Sequence, residues 1–128
     1  MSSDIQTIFS KDAFSAPANF SHARVFHGII YNSGQIPLNT EGRIVGTTIE
    51  EQTEQVIRNQ AAILEAAGSN LGRVLRINVY LVESTDYQGF SETYNKLIPD
   101  PKPPRGCIFV KALPAGSKIE IDLVAAAA

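Results

Sequence analysis

Arg105, Cys107, Glu120 and Asp122 are the residues of this chain whose types and spacing offer chemistry. Arg105 follows Pro103 and Pro104, which stiffen its approach. A guanidinium held at the mouth of a strand presents a planar fork that matches a carboxylate and stays charged at any workable pH. Glu120 and Asp122 alternate with Ile119, Ile121 and Leu123, so the two carboxylates share one face of a strand and the aliphatic residues the other. If Gly106–Ala112 and Lys118–Ala125 pair as a hairpin across Leu113-Pro114-Ala115-Gly116, a register matching odd with even positions puts Arg105, Cys107, Glu120 and Asp122 on one sheet face. An Arg and a Glu so placed supply a carboxylate anchor and a group that handles protons or positions water. A plain cross-strand ion pair on a solvent face has the same pattern. Cys107, the only cysteine, fits a small buried apolar residue as well as a reactive thiol.

Other chemistry has less support. His22 and His27 lie five residues apart in a strand-or-loop stretch, a spacing that does not favour one face, and no carboxylate cluster joins them. No metal site is expected. No nucleotide-binding glycine fingerprint, Walker loop, nucleophile elbow or HExxH is present, so no cofactor is expected either. Gly34, in Ser33-Gly34-Gln35-Ile36-Pro37, reads as turn punctuation at a strand end.

The elements that must position these residues follow from periodicity. A short strand candidate lies at Ile5–Phe9, and two more, Arg24–Phe26 and Ile29–Ser33, meet at His27-Gly28. A helix starts at Thr48, where Thr48 and Glu51 form a capping box; Ile49, Val56, Ile57, Ile63, Leu64 and Ala67 share one face, and Gly68 stops it. Arg73–Glu83 alternates as a strand, with Leu75, Ile77, Val79 and Leu81 inward and Arg76, Asn78 and Tyr80 on a half-polar face. A second helix is expected from Thr85, with Gln88 completing another capping box and Phe90, Tyr94 and Leu97 inward. Prolines at 99, 101, 103 and 104 end it. The order predicts an α+β fold, a single two-layer domain over residues 1–128 with a mixed sheet and two helices packed on one face. The uncovered sheet face then calls for a partner copy.

The chain has 128 residues, 44% hydrophobic and 19% charged, and a net charge of −2, the profile of a globular domain. That balance argues against nucleic acid as a partner, since binders of nucleic acid carry a basic stripe. No apolar run reaches the roughly 18–20 residues a membrane helix needs. Met1-Ser2-Ser3-Asp4-Ile5 lacks a basic region followed by an apolar one, and Asp4 and Asp12 run against a mitochondrial presequence, so a cytoplasmic location is the expectation, with a mitochondrial one still compatible.

Longer words of the sequence carry a resemblance. Tyr31-Asn32-Ser33-Gly34-Gln35-Ile36-Pro37, Gln55-Val56-Ile57-Arg58-Asn59, Leu64-Glu65-Ala66-Ala67-Gly68 and Val79-Tyr80-Leu81 are followed by Pro104-Arg105-x-Cys107-x-x-Val110, Leu113-Pro114 and Ile119-Glu120-Ile121. With these words the chain, past about Ala16, resembles the Rid (YjgF) family of reactive-intermediate deaminases, and Phe20-Ser21-His22-Ala23 is similar to its fungal members. The resemblance implies a chorismate-mutase-like fold, a homotrimer, and clefts between subunits that bind small carboxylates. It implies cofactor-free hydrolysis of 2-imino or enamine acids, such as 2-iminobutanoate and 2-iminopropanoate, to 2-oxo acids and ammonia. On this resemblance Arg105 clamps the carboxylate, Cys107 lines the cleft and contacts ligand through its backbone, Glu120 places the water, and the Gly34 backbone faces the ligand. Phe20 stands where active members carry Tyr, Ser91 where many carry Asn, and Gly106 in place of Ser or Thr. A paralogue that binds small carboxylates in the same cleft without catalysis, or with another specificity, is the alternative.

Overall fold

Thr48 and Glu51 begin the longest element. In the computed structural model, which describes residues 4–128, the Thr48 hydroxyl accepts from the Glu51 N–H at 3.2 Å and the Glu51 carboxylate accepts from the Thr48 N–H at 3.2 Å. These bonds also hold the Glu51 carboxyl below its ordinary pKa, led by the backbone N–H groups of Thr47 and Thr48. The helix so capped, α1, spans Ile49–Ala66. It ends as expected at Gly68, whose φ of 77° lets the Gly68 and Ser69 N–H groups fold back onto the carbonyls of Glu65 and Leu64. The second helix, α2, runs Tyr87–Leu97 and corrects the expectation of a capping box. A 3-10 turn at Ser84–Asp86 takes up Thr85, Asp86 becomes the N-cap without a side-chain bond, and Gln88 reaches Glu92 instead. Leu97 is exposed, and Ile98 takes the buried position.

Six strands form one sheet: β1 (Gln6–Ile8), β2 (Ala23–Phe26), β3 (Ile29–Gln35), β4 (Val74–Leu81), β5 (Arg105–Phe109) and β6 (Ile119–Ala126). Their order is β1-β2-β3-β6-β4-β5, antiparallel except for the parallel β4–β5 pair. β2 and β3 join through His27 and Gly28, both at positive φ (48° and 77°), as a two-residue hairpin turn requires. The core lies between α1, α2 and one sheet face, with Ile30, Ile63, Leu64, Leu81, Phe90 and Ile119 fully buried. This is the predicted mixed-sheet, two-layer α+β architecture. The reading of the extreme N-terminus rests partly on Met1, Ser2 and Ser3, which lie outside the described residues. Among those described, no helix is long and apolar enough to cross a membrane.

Two details of the sheet depart from simple alternation. In β4 a bulge between Val74 and Arg76 returns Val74 to the core and leaves Leu75 exposed, so Leu75 is not an inward residue. The final two strands are not a hairpin, because β4 lies between β5 and β6.

Candidate functional site

That insertion decides where the candidate residues point. Arg105 and Cys107 are register partners of Ile77 and Val79, which pair in turn with Leu123 and Ile121. Register partners share a face, so Arg105 and Cys107 lie on the helix side of the sheet. Glu120 and Asp122 pair with Tyr80 and Asn78 on the opposite, uncovered side. The expectation that all four share one face is therefore corrected. A hairpin in the odd-with-even register would have put them together, but the parallel crossover places β5 beyond β4, in a register that sets Arg105 against Ile77. The cross-strand ion pair falls with it, since β5 and β6 are two strand steps apart, roughly 10 Å.

Glu120 and Gly34 do come together. Between Asn32↔Leu123 and Gln35↔Ile121 the register of β3 against β6 shifts, and Ser33 and Gly34 both fall opposite the one intervening residue, Asp122. Gly34 is thus part of a bulge within β3 and not a terminal turn. A Cβ built on it would lie 2.6 Å from Glu120 Oε2, so only glycine lets the carboxylate rest against the strand. Burial pushes the half-buried Glu120 carboxyl above the usual glutamate range, and the Asp122 charge adds to the shift. Asp122 is itself bound on both oxygens, accepting from Asn78 Nδ2 at 2.8 Å and from the Tyr80 hydroxyl at 2.9 Å. Accepting that bond, Asp122 raises the Tyr80 phenol pKa, with burial second.

Glu120 and Gly34 border a recess of about 330 Å³ whose walls include Phe20, Phe14, Ala16, Ile36 and Leu38. Phe20 thus lines the same recess as Glu120. Residues that sequence reasoning missed support these walls. His22, fully buried, accepts the Ser10 N–H on Nδ1 at 2.9 Å and donates from Nε2 to the Phe14 carbonyl at 2.7 Å, tying down the loop that carries Phe14 and Phe20. On α1, Asn59 donates to the carbonyls of Leu38 (2.9 Å) and Ile36 (3.3 Å). Gln60 donates to those of Ser33 (3.0 Å) and Ile121 (2.6 Å) and accepts from Asn32 Nδ2, meeting backbone groups that the bulge frees from the ladder. Polar residues within the apolar stripe of α1 were the available signal.

Arg105 forms a separate group at the sheet edge. Its guanidinium stands 4.8 Å from the ring centre of Tyr94, 5.3 Å from Phe90 and 5.8 Å from Tyr87, and donates to the Tyr87 hydroxyl at 2.8 Å. Ser91 sits on the same stretch of α2, four residues from Tyr87 and three from Tyr94. The Cys107 side chain packs against the core, and burial pushes its thiol pKa up against a smaller opposing pull from Arg105. A thiol so placed is a poor nucleophile. One chain therefore carries two groups of candidates: Phe20, Gly34 and Glu120 around the recess, and Arg105, Cys107 and Ser91 at β5 and α2.

Residues 10–127 match the family model described as Endoribonuclease L-PSP. Protein HMF1 of Saccharomyces cerevisiae is 35% identical over 126 residues, 98% of each chain. Reactive Intermediate Deaminase A, chloroplastic, of Arabidopsis thaliana is 33% identical over 121 residues, 94% of this chain and 65% of that protein. The crystal structure of E. coli TdcF with bound serine superposes with a TM-score of 0.90 at 25% identity, over 96% of this chain and 99% of that one. The family-model match over nearly the whole length, together with these relatives at 33–35% identity, leads to one conclusion: the chain belongs to the Rid (YjgF) family, the family of the Endoribonuclease L-PSP model.

Proposed function

We propose that this protein hydrolyses 2-imino and enamine acids to 2-oxo acids and ammonia, with 2-iminobutanoate and 2-iminopropanoate among its substrates, in clefts between the subunits of a homotrimer. The observation that carries the reading is the opposed placement of Arg105 and Glu120. Each is only partly buried, Arg105 on the edge strand β5 and Glu120 on the central strand β6, on opposite faces and two strands apart, so a small acid can touch both only if they come from different copies. A face that can meet a second copy is available, since Tyr31, Leu75 and Ile108 are 51%, 45% and 55% exposed. The named activity of the Arabidopsis relative and the serine in TdcF, a small carboxylate, support the same substrate class.

The chemistry needs little apparatus. In the iminium form of the substrate C2 is already electrophilic, so holding the carboxylate and one water in line lowers the barrier by position and electrostatics. Arg105 takes the carboxylate on its fork, fixed by the rings of α2. Glu120, as carboxylate, accepts a proton from the water as its oxygen bonds to C2, giving a carbinolamine. The same proton returns to the amine nitrogen. The C–N bond then breaks, the hydroxyl loses its proton to the departing ammonia, and the products are a 2-oxo acid and ammonium. Burial of Glu120 raises its basicity, as this role requires. Cys107 contributes its backbone at the edge strand, and Ser91 and Phe20 shape the two sides of the cleft. A cytoplasmic site of action goes with this reading.

The test couples activity, binding and assembly. A pyridoxal-phosphate threonine dehydratase with threonine supplies the imine, and 2-oxobutanoate formation is followed with and without the protein. Arg105→Ala and Arg105→Lys are titrated with 2-oxobutanoate while light scattering reports the oligomer. Acceleration by wild type, loss with Ala and little rescue by Lys are expected, because Lys keeps the charge but not the fork. Equal binding by all three variants, or a stable monomer at micromolar concentration, overturns the shared cleft. Binding without acceleration converts the reading to a carboxylate-binding paralogue.

A further inference from the structure

The recess beside Glu120 is larger and more apolar than the methyl or ethyl group of a three- or four-carbon imino acid needs. Its volume, about 330 Å³, falls at the lower end of the roughly 300–1,000 Å³ range of small-molecule pockets. Phe14, Ala16, Phe20, Ile36 and Leu38 supply carbon surface, and Phe20 adds a ring without a hydroxyl. Gln35 spends its amide on the Ser33 hydroxyl and, weakly, the Gly34 carbonyl, which leaves Asn19 and Glu120 as the polar edge.

The walls are preformed. The Phe14 carbonyl is held by buried His22, those of Ile36 and Leu38 by Asn59, and the Phe14 ring is packed so closely on Gly42 that a Cβ there would meet it at 2.8 Å. A cavity whose walls are tied in place by partly buried hydrogen bonds does not collapse when empty, so its apolar lining gains contact area only from an occupant. In a substrate whose carboxylate meets Arg105 and whose C=N carbon faces the water at Glu120, the group left to enter the recess is the substituent on C2.

We infer that this recess is a side-chain pocket and that the protein prefers 2-imino acids with branched aliphatic or aromatic side chains over those with short ones. The inference rests on the proposed deaminase reading for its substrate class. Each methylene moved from water into an apolar site contributes about fourfold, since roughly 0.8 kcal/mol per CH₂ is set against 1.4 kcal/mol per factor of ten. The leucine-derived imine, with three more carbons than the alanine-derived one, should therefore exceed it by at least tenfold in kcat/KM.

An L-amino-acid oxidase with catalase generates the imines of alanine, leucine and phenylalanine, and semicarbazide competes with the protein for each. Partition between semicarbazone and 2-oxo acid gives the three kcat/KM values. In Ala16→Leu, which fills the recess, the leucine-to-alanine ratio should fall at least fivefold. Binding of 4-methyl-2-oxopentanoate and of pyruvate to wild-type protein gives a readout free of turnover and of any variant, with tenfold tighter binding of the branched acid expected. Acceleration with no preference for the larger imines, or equal binding of the two oxo acids, overturns the pocket and leaves the deaminase reading standing. No acceleration of any imine, with the branched acid still bound tenfold tighter, overturns the deaminase reading and supports the pocket.

Discussion

The Glu120 carboxylate lies directly over the Cα of Gly34, within 2.6 Å of where a side chain would begin. The contact joins β3 to β6 at the one place where their ladder slips, so a backbone irregularity and a carboxylate position are the same feature. Gly34→Ala should therefore displace Glu120 with little loss of stability, because the far end of a flexible side chain can move aside. A roughly 10- to 100-fold fall in kcat/KM is expected, the scale on which misplacement by about an ångström acts. Thermal melts beside the kinetics check it, and a large drop in Tm with unchanged activity in the folded fraction would contradict it.

Glu120 also sets a pH dependence. Its carboxyl titrates above the ordinary glutamate range because burial and Asp122 disfavour its charge. As the base is the ionised form, activity should decline on acidification at a pH higher than an exposed glutamate would give, and Glu120→Gln should abolish activity. Stability moves in the other direction. With its folded-state pKa above its unfolded one, the native state binds more protons between the two values, so stability falls as pH rises through that window. Glu120→Gln should melt higher than wild type above the window and converge with it at low pH. Melting curves from pH 4 to 8 measure this difference, and identical curves would show that the charge costs nothing where it sits.

Asp122 provides a separate handle on the same acid limb. Asp122→Asn removes the charge that adds to the Glu120 shift while keeping an oxygen for Asn78 or Tyr80. The acid limb of kcat/KM should move to lower pH, and the Tyr80 phenol, now raised by its Asp122 bond, should titrate closer to its ordinary value. Ultraviolet titration of the tyrosines and a pH–rate profile read the two effects.

Tyr87 steadies the guanidinium of Arg105 through its hydroxyl while two further rings pack beside it. Tyr87→Phe keeps the ring and loses the bond. A severalfold rise in KM with kcat nearly unchanged is expected, as for a group that orients the carboxylate clamp without touching the reacting carbon. Phe90 is fully buried, and Phe90→Ala should instead destabilise the fold by about 3–5 kcal/mol. Denaturant melts separate the two.

His22 is expected to matter for order near the recess. His22→Ala orphans the Ser10 N–H and the Phe14 carbonyl, at a cost of about 2 kcal/mol or more. Hydrogen exchange over residues 10–20 should quicken, and exchange as slow as wild type would show that the loop is held by other contacts.

Local rules sufficed where the determinants are adjacent in the chain. The capping box of Thr48 and Glu51, the left-handed stop at Gly68, the His27-Gly28 turn and the alternation of Ile119, Ile121 and Leu123 could all be read from the residues, as could the two-layer class. They could be read because a cap, a turn and a strand face depend on spacing within a few residues. The family words in turn singled out Gly34 and Glu120, which the structure places in contact. What tertiary structure decided was adjacency. Two strands joined by a short Leu113–Gly116 link look like a hairpin, yet β4 offered β6 an antiparallel partner and β5 a parallel one, and the registers of those two pairings put Arg105 and Glu120 on opposite faces. The bulges at Gly34 and Leu75 were hidden for the same reason, since a slip of register is defined only by the partner strand. Thr85 and Gln88 show the converse, a valid local capping pattern overridden by the 3-10 turn that leads into α2. Residue types and spacings named the chemistry; which side chains share a face was settled by strand pairing between segments distant in the chain, where no local spacing carries the information.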